Sequence, residues 1–111
     1  MTKMQTEFIQ VSTTVADKEH ADAIADAIVK ERLAACVQVL GPIQSTYWWK
    51  GKLQKSEEWL CLAKTTESLY HAIEERIKSI HPYETPEIAA VPIVAGSKEY
   101  LSWLSSQVRK P

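Results

Sequence analysis

The sequence has 111 residues, 45% of them hydrophobic, which is enough for one globular domain and too apolar for an intrinsically disordered chain. Lys and Arg number 13 against 14 Asp and Glu, and the net charge of −1 argues against nucleic acid as a partner, because phosphate binding depends on excess positive charge. The two cysteines, Cys36 and Cys61, are too few and too far apart for a disulfide-stabilised scaffold.

No segment of the sequence has the features of a targeting or membrane-spanning element. The residues from Met1 to Glu7 lack the apolar run of a signal peptide, and no stretch approaches the length of a membrane span. We therefore expect a cytoplasmic protein with reduced cysteines and no membrane partner. No repeat, low-complexity tract or linker interrupts the chain, so residues 1–111 are predicted to form a single domain.

The first two predicted elements are a strand and an amphipathic helix. Residues 7–14 are rich in β-forming residues that alternate with polar ones. Asp17 is suited to cap a helix in which apolar residues recur at helical spacing and which ends near Arg32 or Leu33. The apolar face of this helix consists of Ala21, Ile24, Ala25, Ile28 and Val29.

A long β-hairpin is predicted in the middle of the chain. Its outgoing strand covers residues 35–49, and Pro42 within it predicts an edge strand or a bulge, because proline lacks the N–H of a ladder hydrogen bond. The dipeptide Lys50-Gly51 has the composition of a tight turn. The returning strand covers residues 52–65 and contains a nearly continuous apolar run, which is typical of a central strand covered on both faces.

The second half of the sequence predicts a helix, a strand and a terminal helix. Thr65, Thr66 or Ser68 is suited to cap the first of these helices. Two prolines then force an extended passage, and residues 87–95 form an apolar strand that a further proline interrupts. Ser97 is suited to cap the terminal helix. The apolar positions are Leu69, Tyr70, Ile73, Ile77 and Ile80 in the first helix and Tyr100, Leu101, Leu104 and Val108 in the second.

The element order is β-α-β-β-α-β followed by an extra C-terminal helix, which is the ferredoxin-like split βαβ pattern. With right-handed crossovers, this pattern places the second and fourth strands at the edges of the sheet. Pro42 and Pro92 fall in these two strands, where a missing N–H is tolerated. The predicted fold is therefore an α+β, ferredoxin-like sandwich with a long hairpin between its second and third strands.

The hairpin is too long for a domain of this size. The strand from Cys36 to Trp49 would span roughly 46 Å if straight, whereas a compact chain of this length has a radius of gyration of about 13 Å. We expect it to bend at Gly41-Pro42, to project from its domain and to pack on other subunits, because its tip carries several aromatic residues. The alternative is that these aromatic side chains fold back over the sheet as ordinary core.

A set of motifs extends from the end of the first helix to the last strand. It comprises Leu33-Ala34-Ala35-Cys36, Tyr47-Trp48-Trp49 before Lys50-Gly51-Lys52, Lys64-Thr65, His81-Pro82-Tyr83 and Thr85-Pro86-Glu87. With these motifs, the chain resembles the CutA (CutA1) divalent-cation tolerance family over nearly its whole length. The resemblance implies a ferredoxin-like subunit, a homotrimer assembled through the long hairpins, and a link to divalent metal ions, copper in particular. It implies no established catalytic activity, so we expect a protein that is not an enzyme.

A metal site needs ligands that converge, and copper and zinc favour imidazole and thiolate. His20 and His71 are expected on helix surfaces, whereas His81 lies in a rigid, proline-braced segment that also holds Glu87. We predict His81 as the first candidate metal ligand and Glu87 as the second. The alternative role of His81 is to cap the end of the preceding helix, where an imidazolium interacts favourably with the helix dipole.

The family pattern is incomplete at this predicted metal site. Some relatives carry a cysteine at the end of the first strand and a histidine pair before the proline, and this sequence has Thr13 and Ile80-His81 there. One soft ligand and one imidazole are therefore absent, and we expect weak Cu²⁺ binding and no metal requirement for folding. The predicted function is that of a homotrimeric divalent-cation tolerance protein that binds divalent cations, with copper as the expected ion.

A cleft between subunits is the second predicted site. Its predicted lining is Cys36, Trp49, Lys64 and Tyr83, together with Glu87. Lys64 is a charge at the end of an apolar run, so it either forms a salt bridge with Glu87 or Glu58 or binds an anion. Cys36 is either a small buried hydrophobe or a ligand, whereas Cys61, within an apolar strand, is predicted to belong to the core.

Three other functions are less compatible with the sequence. Acylphosphatases cradle an anion after the first strand, and residues 13–17 contain neither the glycine nor the arginine that this requires. Ferredoxin-like metallochaperones present a CxxC pair in that loop, which is absent. An RNA-binding sheet spreads aromatic residues over its central strands, whereas these cluster at a hairpin tip. The remaining alternative is a PII-like signalling or structural trimer that binds a small anionic ligand or a partner protein in its subunit clefts.

Overall fold

The computed structural model describes residues 7–111, which contain four strands and three α-helices. The strands are β1 (Phe8–Val15), β2 (Cys36–Trp49), β3 (Lys52–Thr66) and β4 (Ala89–Pro92), and the helices are α1 (Lys18–Lys30), α2 (Tyr70–Ile80) and α3 (Lys98–Gln107). Residues 1–6, which the predicted domain range includes, lie outside the described residues. The order of these elements is the predicted β-α-β-β-α-β-α.

The strands form one antiparallel sheet in the order β2-β3-β1-β4, which confirms the ferredoxin-like prediction and places β2 and β4 at its edges. Pro42 and Pro92 lie in these two edge strands, as predicted. The strand predicted over residues 87–95 is too long. Its ladder with β1 runs only from Ala89 to Pro92, where the missing proline N–H removes a hydrogen bond.

Helix α1 begins at the predicted cap and ends slightly earlier than predicted. The Asp17 carboxylate accepts a 2.8 Å hydrogen bond from the His20 N–H, so one of the free N–H groups of the first turn is satisfied. The helix ends at Lys30 because Arg32 adopts the left-handed conformation, with φ at 62°. The Leu33 N–H then donates to the Ile28 carbonyl at 2.9 Å and closes the last turn.

Helix α2 begins differently from the prediction. A short 3₁₀ turn over Glu67–Leu69 leads into it, and neither start has a side-chain cap. The Thr65 hydroxyl instead donates to the Leu33 carbonyl at 2.6 Å, and the hydroxyls of Thr66 and Ser68 lie 3.2 Å from each other. None of the helices within residues 7–111 combines the length and apolar character that crossing a membrane requires.

The core lies between α1, α2 and one face of the sheet. Its buried members are Ile9, Val11, Ile24, Ile28, Leu33, Ala34, Ala63, Leu69, Ile73 and Ile77. A second cluster unites Cys61 with Val15 and Ala21, and the Cys61 thiol donates to the Ala21 carbonyl at 3.8 Å. Burial raises the pKa of this thiol to about 11. Cys61 is therefore a core residue, as predicted.

The hairpin of β2 and β3 bends where expected. The register shifts between Leu40 and Ile43, and Gly41 lies so close to Trp59 that an added Cβ would stand 2.5 Å from the indole ring. The turn at Lys50 and Gly51 has φ angles of 50° and 77°, as a tight hairpin turn requires. Trp59 packs against the second core cluster. For this tryptophan, the alternative prediction that the aromatic side chains form ordinary core is therefore correct.

The tip of the hairpin and the second face of the sheet expose apolar side chains. Trp48 is 73% exposed, and its cross-strand partner Leu53 is 57% exposed. Leu40 and Val91 are also exposed, and they lie at opposite edges of the sheet. The hairpin therefore does not fold its tip back over the core in a single chain.

Candidate functional site

A cleft of about 770 Å³ lies between the hairpin and the loop that joins α2 to β4. Its lining residues are Thr14 of β1, Ser45, Thr46, Tyr47, Trp48 and Trp49 of β2, Glu58 of β3, and Tyr83, Glu84, Thr85, Pro86 and Glu87 of the loop. The loop stays out of the sheet because its prolines hold it extended and cannot complete a ladder. The side chains of Tyr47, Trp49 and Tyr83 and three acidic ones thus meet in one concavity, whereas Trp48 points to the other face of the hairpin with Leu53.

His81 lies behind this cleft and fixes the start of the loop. Its Nε2 lies 2.8 Å from the Thr14 carbonyl oxygen, and its Nδ1 accepts a 3.1 Å hydrogen bond from the Tyr83 N–H. The ring is therefore a neutral imidazole that carries its proton on Nε2. Burial lowers the pKa of His81, an effect that the Thr14 carbonyl and the Glu58 charge partly oppose.

These contacts bear on both sequence-based interpretations of His81. The end of α2 is closed by the His81 backbone N–H, which donates to the Ile77 carbonyl at 2.8 Å, while the side chain reaches across to β1. A metal ion would bind the imidazole only after one of the two ring hydrogen bonds had opened. Its role as a ligand stays a prediction, and its role in this arrangement is to hold the loop against β1.

Tyr83 and Glu58 form the central polar contact of the cleft. The Tyr83 hydroxyl donates a 2.6 Å hydrogen bond to Oε2 of Glu58, and the Glu58 side chain is buried, with 5% of its surface exposed. Burial, reinforced by the Glu58 carboxylate, raises the pKa of Tyr83, so the phenol remains a donor. The ion pairs found within residues 7–111 do not include Glu58.

The remaining two carboxylates of the cleft are exposed. Glu87 lies 3.4 Å from the Ser12 hydroxyl, which donates to its Oε2, and Glu84 lies on the surface of the loop. Within residues 7–111, no three His, Cys, Asp or Glu side chains converge closely enough to hold a metal ion. The predicted ligand Glu87 thus lies in the cleft. The described residues of one chain do not supply a complete set of metal ligands around it.

The predicted cleft residues fall into two groups. Trp49 and Tyr83 line this cleft, whereas Cys36 and Lys64 are cross-strand neighbours at the far end of β2 and β3. Lys64 donates a hydrogen bond to Gln38, and the salt bridge with Glu58 or Glu87, one of its two predicted roles, is not among the ion pairs of the described residues. That the two groups come together in a cleft between subunits stays a prediction.

Cys36 is half-buried and lies beneath α3. Its Sγ lies 3.7 Å from the Tyr100 hydroxyl and 3.7 Å from the Gln38 amide nitrogen. Tyr100 and Trp103 of α3 form a ring pair with centroids 5.8 Å apart. These contacts give Cys36 polar neighbours, unlike the fully buried Cys61.

Sequence reasoning missed Glu58 as a site residue, although it weighed Glu58 as a salt-bridge partner. Glu58, Leu60 and Leu62 lie two residues apart along β3, so their side chains share one face of the sheet. That face is the one opposite α1 and α2. The sequence signal for Glu58 was an acidic residue directly before the apolar run of a central strand, where burial of a carboxylate is unusual. Its hydrogen-bond partner, Tyr83, lies 25 residues further along the chain, where no local sequence signal connects the two.

Comparison with known proteins finds a matching family and similar relatives. A family model described as "CutA1 divalent ion tolerance protein" matches residues 9–107. The chain is 47% identical over 94 residues to the "Divalent-cation tolerance protein CutA" of Thermus thermophilus, which covers 85% of this chain and 91% of that protein. It is 44% identical over 102 residues to the "Protein CutA 1, chloroplastic" of Oryza sativa subsp. japonica, which covers 92% of this chain and 58% of that longer protein.

Solved structures agree with these relatives. The divalent cation tolerance protein (Cut A1) of Thermus thermophilus superimposes with a TM-score of 0.90 at 43% identity, over 92% of this chain and 99% of that one. CutA1 from Oryza sativa superimposes with a TM-score of 0.92 at 42% identity, over 96% of this chain and 97% of that one. Both sequence and backbone are therefore similar over nearly the whole described chain.

Proposed function

Because the chain belongs to the CutA1 divalent ion tolerance family, we propose that it acts as a homotrimer that binds divalent metal ions, copper among them. The observation that carries this proposal is the composition of the cleft, whose wall, among residues 7–111, is lined by Glu58, Glu84 and Glu87 and by no Lys, Arg or His. Such a wall attracts cations and repels anions. The charge of this cleft therefore favours a metal ion over the small anionic ligand of the alternative prediction.

The exposed carboxylates Glu84 and Glu87 are the proposed first contacts of the metal ion. Carboxylate oxygens bind divalent cations, and for a given set of oxygen and nitrogen ligands Cu²⁺ binds more tightly than the other first-row divalent ions. Copper is therefore the expected ion even though the thiolate and the second imidazole are absent. His81 joins as a ligand only if its hydrogen bond to Thr14 or Tyr83 opens, which keeps the expected affinity low.

The hairpin supports the proposed assembly. Trp48 and Leu53 expose most of their surface on one face of a ribbon that projects from the core. Burying one such large apolar side chain contributes about 1.5–3 kcal/mol, and a symmetric trimer would bury three copies of each. The proposed role is binding without catalysis, which remains a prediction from the sequence and its resemblance.

The experiment is a calorimetric titration of the tag-free, metal-stripped protein with Cu²⁺, with the assembly mass measured by light scattering. We expect a trimer mass and saturable heat at a whole-number ratio per subunit. The variant Glu87→Gln should weaken the binding, whereas Glu57→Gln, which removes an exposed neighbouring carboxylate outside the cleft lining, should not. A titration without saturable heat, or one that both variants leave unchanged, would contradict the proposal.

A further inference from the structure

Beyond metal ions, we propose that the cleft is a binding site for a small organic cation, an ammonium or guanidinium compound, with Glu58 as its counter-ion and aromatic side chains as its walls. This inference does not rest on the metal binding proposed above. It uses a different carboxylate and a different chemistry of recognition, and it starts from a charge that the fold leaves unbalanced.

The buried Glu58 carboxylate is that charge. Within residues 7–111 its hydrogen-bond donor is the neutral Tyr83 hydroxyl, and none of the ion pairs includes it. Burying a carboxylate is costly unless a cation or several donors compensate the charge. Glu58 is 5% exposed and lines the cleft, so a cation that enters the cleft would find a partly desolvated counter-ion.

The aromatic side chains supply the second part of the site. The side chains of Tyr47, Trp49 and Tyr83 line the same cleft, and electron-rich ring faces attract ammonium and guanidinium groups. The Trp49 ring already takes part in such a contact, with Lys50 Nζ at 5.6 Å from its centroid. The Tyr47 hydroxyl lies 3.1 Å from the Ser56 hydroxyl, which holds that phenol in place.

The size and ligand set of the cleft favour an organic cation at Glu58 over a bare metal ion. A volume of about 770 Å³ is that of a small-molecule site. A metal ion needs several converging ligands, and within residues 7–111 no group of three such side chains forms. An organic cation needs one carboxylate and apolar faces for its carbon atoms, and the cleft offers both.

Three probes on one scaffold test the charge dependence. Benzylammonium, benzyl alcohol and benzoate are titrated into the tag-free protein in EDTA, and tryptophan fluorescence is followed because the Trp49 side chain lines the cleft. We expect saturable quenching by benzylammonium, at least tenfold weaker binding of benzyl alcohol, and no binding of benzoate. Equal binding of the cation and the alcohol, or no saturable binding of the cation, would overturn the proposal.

Two variants locate the site. Glu58→Gln keeps an oxygen that can accept from Tyr83 while it removes the charge, so we expect at least a tenfold loss of benzylammonium affinity with the assembly mass retained. Glu57→Gln is the matched control and should bind as the parent does. Unchanged affinity in Glu58→Gln would overturn the proposal, and so would a fall in its assembly mass, because the counter-ion would then be a basic group of a second copy.

The two proposals fail separately. Glu87→Gln should weaken the calorimetric binding of Cu²⁺, and it should weaken benzylammonium binding in EDTA much less than Glu58→Gln does. If Cu²⁺ gave no saturable heat while benzylammonium still bound, only the proposed function would be contradicted. Retained metal heat without benzylammonium binding would contradict only the inference about Glu58.

Discussion

The hydroxyl of Tyr83 donates a 2.6 Å hydrogen bond to the carboxylate of Glu58 and so ties the loop after α2 to the middle of β3. His81, two residues before Tyr83, ties the same loop to β1 through the Thr14 carbonyl. The cleft wall is therefore held at two points on neighbouring strands. Because Glu58 is buried, the contact that holds the loop is also the hydrogen bond that its buried carboxylate accepts.

The first prediction concerns this contact. In Tyr83→Phe, the buried carboxylate loses its donor, and a hydrogen bond to a charged group contributes about 1.5–3 kcal/mol. We expect a loss of stability of roughly that size in denaturant unfolding at fixed protein concentration. The double variant Tyr83→Phe, Glu58→Gln should lose less than the two single variants together, since Glu58→Gln already weakens the charge-assisted hydrogen bond that Tyr83→Phe removes. Additive losses would show that the two side chains are not coupled.

The second prediction is a pH dependence caused by His81. Burial holds the pKa of this imidazole below its ordinary value of 6.5, so the unfolded chain binds a proton more readily than the folded one. The stabilisation is fully present above pH 6.5 and is lost as the pH falls through the lowered pKa of the folded state. We expect the thermal midpoint to fall from pH 7.5 to pH 5, and His81→Gln to reduce this fall. An identical fall in both proteins would place the titrating group elsewhere.

Much of the fold could be predicted because its signals are local. The cap at Asp17, the turn at Lys50 and Gly51, and the bend next to Pro42 each depend on a residue whose backbone or side-chain preference acts within a few positions. The wrong predictions concern residues whose contacts come from distant parts of the chain. Thr65 was available as a cap, but its hydroxyl bonds the Leu33 carbonyl instead, a partner 32 residues away.

The site was only partly predictable for the same reason. Tyr83 and Glu87 were foreseen together because they share one proline-braced segment. Glu58 was not, because the Tyr83 hydroxyl that donates to its carboxylate comes from a loop 25 residues further along the chain. The sequence predicted either a salt bridge or a bound anion for Lys64, yet its hydrogen-bond partner is Gln38 on the adjacent strand, and spacing along the sequence does not reveal this choice.

The third prediction concerns the bend of the hairpin. A methyl group at position 41 would stand 2.5 Å from the Trp59 ring, which is closer than van der Waals contact allows. We expect Gly41→Ala to destabilise the protein by about 1–3 kcal/mol, the usual cost of overpacking. Adding Trp59→Leu should recover part of this loss, because the ring that clashes is gone. If the double variant lost as much as the sum of the single ones, the clash would not be the cause.

The fourth prediction separates the two cysteines by their accessibility. The Cys61 thiol is buried and its pKa is raised to about 11, whereas Cys36 is half-buried next to polar groups. Only thiolates react rapidly with iodoacetamide, so the native protein at pH 8 should be labelled at Cys36 well before Cys61. Peptide mass spectrometry after a time course measures both rates. In denaturant the two rates should converge, and labelling of Cys61 first in the native protein would contradict its placement in the core.

The fifth prediction tests the proposed trimer at the hairpin tip. Trp48 is 73% exposed in a single chain, so truncating it costs little unless another subunit covers it. If a neighbour does, Trp48→Ala loses about 1.5–3 kcal/mol of burial at each of three equivalent contacts, and dissociation should occur at a higher protein concentration. Analytical ultracentrifugation over a dilution series measures this, with Lys55→Ala, exposed on the same hairpin, as control. An unchanged dissociation curve and melting temperature for Trp48→Ala would exclude the hairpin tip from the interface.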